Sequence, residues 1–198
     1  MYPKSALTRQ HILERSRQLF NKNGYSGTSM QDITAATGLT KGALYGHFEN
    51  KDAIALAVFR LNTRTLLDGF KLYMDAAEGV VGKINAMMAY YGDHYLELTL
   101  NGGCPFLSAA TEFDDRPGEI REHVKAAFAE WQGLIITILS DGQAAKTVKQ
   151  GIDANKYALL FVSMIEGGIM MTHLYGTPAV LKTVFEQIDH IIQLEILA

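Results

Sequence analysis

The residues best suited to chemistry in this chain lie between positions 40 and 51: Lys41, Tyr45, His47 and Lys51, with Gly42 and Ala43 among them. A lysine ammonium meets a phosphate or a guanine edge, and tyrosine and histidine offer further hydrogen-bond donors at phosphate distance. Glycine and alanine let the backbone come close to base edges. Thr28, Ser29 and Thr40 complete the set of candidate contacts. Such groups suit recognition of a nucleic-acid groove.

Two short helices joined by a tight turn must hold these groups in place. Thr28, followed three residues later by Gln31, reads as a capping box opening the first helix. Met30, Ile33 and Ala36 give it an apolar face. Gly38 ends it, because glycine takes the left-handed conformation without a Cβ penalty, and Leu39 tucks into the corner. Thr40 caps the second helix, whose buried stripe is Leu44 and Phe48. With those two inward, Lys41, Gly42, Ala43, Tyr45 and His47 remain outside. Asn50 caps a third helix opening at Lys51. This is the grammar of a helix-turn-helix spanning about residues 29–48.

The run Gly24-Tyr25, Thr28-Ser29, Ile33, Gly38-Leu39-Thr40-Lys41-Gly42-Ala43-Leu44-Tyr45, His47-Phe48 and Asn50-Lys51 closely resembles the DNA-binding domain of the TetR (tetracycline-repressor-like) family of bacterial transcriptional regulators. The match covers about the first 60 residues. Thr34-Ala35-Ala36-Thr37 departs from the Ala-x-x-Ala of many members but keeps small residues. The resemblance implies an all-α fold: a three-helix DNA-binding domain over residues 1–52 and a larger helical ligand-binding and dimerisation domain over 53–198. It also implies a homodimer formed through the last two helices and a double-stranded DNA operator. Repression relieved by a small-molecule effector follows from it too, although the residues leave activation open.

Charge supports that division. The whole chain is mildly acidic, at −3. Residues 1–60 nevertheless hold eight Lys or Arg against four acids, and the remainder holds 10 against 17. A positive head on a negative body suits a molecule with one end facing phosphates. A single cysteine, Cys104, excludes an intrachain disulfide, fits a reducing cytoplasm and reads as a small buried hydrophobe beside Pro105. The start of the chain lacks a signal-peptide core, and no apolar run reaches ~18 residues, so neither secretion nor membrane spanning is expected. With no phosphate-binding glycine loop, nucleophile elbow or paired metal-ligand motif, no enzyme, metal or cofactor is expected. His94 with Asp93 and Glu97 could suggest a metal, but the adjacent Asp93 and His94 do not share a helix face and no fuller ligand set follows.

The remaining pattern is helical throughout. A first helix runs from about Ser5 to Asn23, ended by Gly24, with Ile12, Leu13, Ser16, Leu19 and Phe20 inward. A long helix from Lys51 to about Met74 is the natural lever between head and body. Gly79 and Gly82 mark a break before a helix reaching Leu100, and Pro105 opens a short helix through Phe113. Residues 114–118 form a turn. A stripe of Ile120, Val124, Phe128, Trp131, Ile135 and Ile138 follows. The segment Asp153–Tyr175 is apolar around nearly its whole circumference and must be enclosed, and Gly167 and Gly168 would allow either close approach at the dimer seam that the resemblance implies or a kink. A final helix follows Thr177 and Pro178.

Aromatic and methionine residues with a few polar tips suggest a pocket for a small, largely apolar effector, lined by Met87, Tyr91, His94, Phe106, Phe113, Phe128, Trp131, Ile135, Met164, Glu166, Met170 and His173. The same residue types at helical spacing also build plain core. Glu166 and His173, seven apart, share a helix face and suit a polar ligand group or the dimer seam. The expected function is a ligand-responsive transcriptional regulator; the alternative is a DNA-binding protein with no effector.

Overall fold

Among the described residues the protein is predominantly helical, and glycine and proline set most of the joints. The computed structural model describes residues 4–115 and 118–198. In order, the helices are α1 (Lys4–Gly27), α2 (Met30–Thr37), α3 (Lys41–Tyr45), α4 (Lys51–Asp75), α5 (Gly79–Asp93), α6 (Tyr95–Leu100), α7 (Pro105–Phe113), α8 (Glu119–Ala144), α9 (Ala154–Tyr175) and α10 (Ala179–Ile191). A π-helical turn, Ile192–Ile196, follows α10. Gly24 interrupts α1 with φ 70° and ψ 175°, so the continuous helix ends there and a separate turn leads on to Gly27. The helix expected to run from Gly82 to Leu100 is instead two: Gly82 lies inside α5, and the break falls at His94, whose φ and ψ of −102° and 10° end the helix. Of the turn expected at 114–118, Arg116 and Pro117 lie outside the described residues.

Two compact units emerge, Met1–Thr65 with Asn101–Lys125, and Leu66–Leu100 with Ala126–Ala198. This division differs from a boundary at residue 52, because α4 continues unbroken from Lys51 and α7 packs on α1. The first unit has a core of Ile12, Phe20, Ile33, Leu44, Phe48, Ile54 and Val58, drawn from α1 to α4. In the second, Phe70, Tyr91 and Trp131 pack ring against ring at 5.2–6.0 Å between centroids.

Within one chain α9 is covered on only part of its circumference. Tyr157, Phe161, Val162, Ile165 and Thr172 are buried, and Gly168 lets α10 come close: a Cβ there would meet Val184 Cγ2 at 3.0 Å. That close approach is within one chain. Leu159, Leu160, Met170, Leu174 and Tyr175 are exposed. At 22 residues and a mean hydropathy of 1.4, α9 also matches a membrane span in length and composition, contrary to the expectation that no segment would; half of that stretch is buried within its unit.

Candidate nucleic-acid interface

Local capping positions the helix-turn-helix. Ser29, in extended conformation, is the N-cap of α2: its Oγ accepts from Asp32 N–H at 3.2 Å, and Asp32 Oδ2 accepts from Ser29 N–H at 2.8 Å. This reciprocal box satisfies two orphan amides. The Ser29 hydroxyl and then its N–H hold the exposed Asp32 carboxyl below its ordinary value of 3.8. Gly38 ends α2 at φ 69°, where its N–H reaches Thr34 O. Thr40 Oγ1 accepts from Ala43 N–H at 3.2 Å and opens α3. Asn50 Oδ1 accepts from Ala53 N–H at 2.8 Å and opens α4.

Between those caps α3 is only five residues long, shorter than the stripe of Leu44 and Phe48 suggested. Phe48 lies past its end, in the turn, yet is still buried with Leu44. That anchoring fixes which side faces out. Thr40, Lys41, Gly42 and Tyr45 are exposed, Tyr45 at 47%, and Ala43 is half-buried. His47 is half-buried and lines a groove of ≈650 Å³ in the first unit, together with Arg9, Tyr25, Asp52 and Arg60. Ser29 is exposed on the adjoining cap.

Two of the expected contacts are spent inside the protein. Thr28 is 1% exposed, and its hydroxyl is shared between Leu19 O at 3.2 Å and Gly24 O at 2.8 Å. It cannot meet a phosphate, and the capping box starts one residue later than Thr28-x-x-Gln31 suggested. Lys51 Nζ donates to Tyr25 O at 2.8 Å and Thr28 O at 2.9 Å, and lies 3.9 Å from the Tyr25 ring centroid. Its ammonium straps the turn before α2. Sequence reasoning missed the supporting roles of Asp32 and Tyr25. The spacing Ser29-x-x-Asp32 signalled the first; the Tyr25–Lys51 contact left no local trace.

The expected pocket residues divide between the units. Phe106 and Phe113 belong to the first: Phe106 is fully buried with its ring 6.5 Å from Phe59, and Phe113 packs on Tyr25. The other ten belong to the second. Met87, Tyr91, Trp131 and Ile135 are buried together, and Trp131 Nε1 donates to Met87 Sδ at 3.4 Å. Phe128 stacks beside Trp131, and Met164 and His94 are half-buried, His94 against Tyr90. Met170 and His173 face outward, which removes them from a lining formed by one chain. Glu166 is buried in mid-helix, whereas His173 sits in the last turn before Gly176, so their common azimuth does not give a common environment.

The family model described as "Bacterial regulatory proteins, tetR family" matches residues 12–58, and "Tetracyclin repressor-like, C-terminal domain" matches residues 80–188. The chain belongs to the TetR family. Among solved members, a TetR transcriptional regulator from Chloroflexus aurantiacus superposes with a TM-score of 0.92 at 32% identity, covering 98% of each chain. One from Cytophaga hutchinsonii gives a TM-score of 0.88 at 32% identity, over 98% of this chain and 96% of that one. The HTH-type transcriptional repressor DhaR of Mycobacterium sp. strain GP1 is 26% identical over 163 residues, 82% of this chain and 80% of that protein. Like its family, the protein is a DNA-binding transcriptional regulator and not an enzyme. In this TetR-family chain the first match runs from within α1 through α2 and α3 into the opening of α4.

Proposed function

We propose that the protein is a homodimeric repressor that binds an inverted-repeat operator and is released by a small, largely apolar effector. The observation that carries this reading is the outward face of α3, where Lys41 and Tyr45 project beside the buried anchor Leu44. Ser29, Thr40, Gly42, Ala43 and His47 flank that face and complete the contact set. A single face of this size reads few base pairs. Two-fold pairing sets two of them about one helical turn apart, roughly 34–36 Å or a multiple, and doubles the phosphate contacts. The exposed Leu159, Met170 and Leu174 of α9 support pairing through α9 and α10, since a soluble chain gains by covering such a face.

The methionine and aromatic side chains of the second unit support an apolar effector, which acts by preferring a dimer whose heads do not fit successive grooves. A coupling of typically 1–3 kcal/mol between the two ligands is enough for release. Repression agrees with the relative DhaR, itself a transcriptional repressor. The cytoplasm, where the DNA is, is the corresponding location.

Selection of genomic fragments by the purified chain tests the proposal. Recovered fragments should share an approximate inverted repeat, and sedimentation should give a dimer. A monomeric chain, or recovered fragments with no repeated half-site, would refute it.

A further inference from the structure

The turn between α1 and α2 is held by a residue far away in sequence. Glu112, near the end of α7, accepts from Tyr25 N–H through Oε2 at 2.5 Å and from Ser26 N–H through Oε1 at 2.7 Å. One carboxylate thus spans two successive backbone amides, as an anion does in a backbone nest, and both bonds are charge-assisted. The backbone at position 24 suits glycine, and the carboxylate lies close against it. A Cβ on Gly24 would lie 2.5 Å from Glu112 Oε2, at a φ of +70° that side chains rarely adopt.

The carbonyls of the same turn are held by a lysine. Lys51 takes Tyr25 O and Thr28 O, while Phe113 packs its ring 5.4 Å from that of Tyr25. Further back along α1, Asn21 Nδ2 donates to Asn101 O at 2.6 Å and Gly103 O at 3.1 Å, and Gln18 Nε2 donates to Asn101 Oδ1 at 2.9 Å. Gly102 lies against Asn21 so closely that a Cβ would fall 2.7 Å from its carbonyl oxygen. Residues 101–113 therefore grip both α1 and the turn that leads into the Ser29 cap of α2. That segment follows in the chain directly on α6, whose residues belong to the second unit.

We propose that Glu112 is a positioning residue for DNA binding. It clamps the Tyr25–Ser26 amides and so sets where α2 and α3 are presented. The inference rests on α3 being the helix that meets DNA.

The test uses the full-length chain with Glu112→Gln and Glu112→Ala. Affinity is measured for a duplex recovered by genomic selection and for a scrambled duplex of equal length, and amide hydrogen exchange is followed by NMR. The Ala variant should lose about tenfold or more in affinity for the selected duplex and the Gln variant, which keeps one acceptor oxygen, about threefold, given two charge-assisted bonds. Affinity for the scrambled duplex should stay within about twofold, because phosphate attraction does not need an exact presentation of α3. Exchange should quicken at Tyr25 and Ser26 and remain unchanged in α9. Wild-type affinity in Glu112→Ala, equal losses on both duplexes, or undisturbed exchange at those amides would overturn the proposal. A wild-type chain that binds neither duplex would instead overturn the DNA-binding reading beneath it.

Discussion

Two lysines ten residues apart sit in opposite settings in this structure, and substituting each in turn tests the roles proposed for them. Lys51 donates to two carbonyls of the turn before α2, at 2.8 and 2.9 Å, and sits over the Tyr25 ring. Hydrogen bonds from a charged donor contribute roughly 1.5–3 kcal/mol net, and the two here share one half-buried ammonium, so together they stay near the worth of one such bond. Lys51→Met should therefore cost the head about 2 kcal/mol. Lys41 is exposed and makes no hydrogen bond or ion pair among the described residues. Lys41→Met should leave stability within about 0.5 kcal/mol. On DNA the order reverses. Each phosphate contact contributes about 0.9 to the slope of log affinity against log salt, so a dimer carrying Lys41→Met should lose roughly 2 in that slope and Lys51→Met close to none. Anisotropy of a labelled operator over about 50–200 mM salt gives the slopes, and exchange at the Ile33 amide of α2 gives head stability. A Lys51→Met variant that keeps α2 protection but loses as much salt slope as Lys41→Met would refute the assignment.

Other substitutions probe the remaining parts of the account. Leu159→Glu combined with Leu174→Glu places charge on the exposed face of α9 and should convert the dimer to monomer by sedimentation while leaving helix content unchanged. Asp32→Asn should weaken the α2 cap at neutral pH. Because the Ser29 bonds lower the native carboxyl below 3.8, that contribution is complete well above 3.8 and disappears as pH falls through the native value, so urea midpoints of wild type and variant should converge in acid. Thr172 Oγ1 is buried and has no hydrogen-bond partner among the described residues. Thr172→Val should consequently be neutral or stabilise by up to about 1 kcal/mol in the same measurement.

Local chemistry made the helix-turn-helix legible. Gly38, Thr40 and Asn50 act on residues within four positions of themselves, and Leu44 with Phe48 marked the buried side even though α3 ends before Phe48. Where two local patterns overlapped, the reading slipped by one: Thr28-x-x-Gln31 and Ser29-x-x-Asp32 both satisfy a capping box, and only the burial of Thr28 against Leu19 decides between them. Lys51 and Glu112 were beyond reach, since their partners lie 23 or more residues away. In the body, helical periodicity gave azimuth without depth. It put Glu166 and His173 on one face but could not show that one is covered and the other open. It marked α9 as apolar all round, yet one chain alone buries only part of that circumference.

The central claim is that the face carrying Lys41 and Tyr45 lies in the groove of a DNA duplex, twice per dimer. A hydroxyl-radical footprint of the wild-type chain on a selected operator measures this most directly. Protection should appear over two symmetric half-sites about one helical turn apart, or a multiple of it, and should fade in both half-sites together with Lys41→Ala. Protection confined to one half-site, or a pattern indifferent to Lys41→Ala, would contradict it.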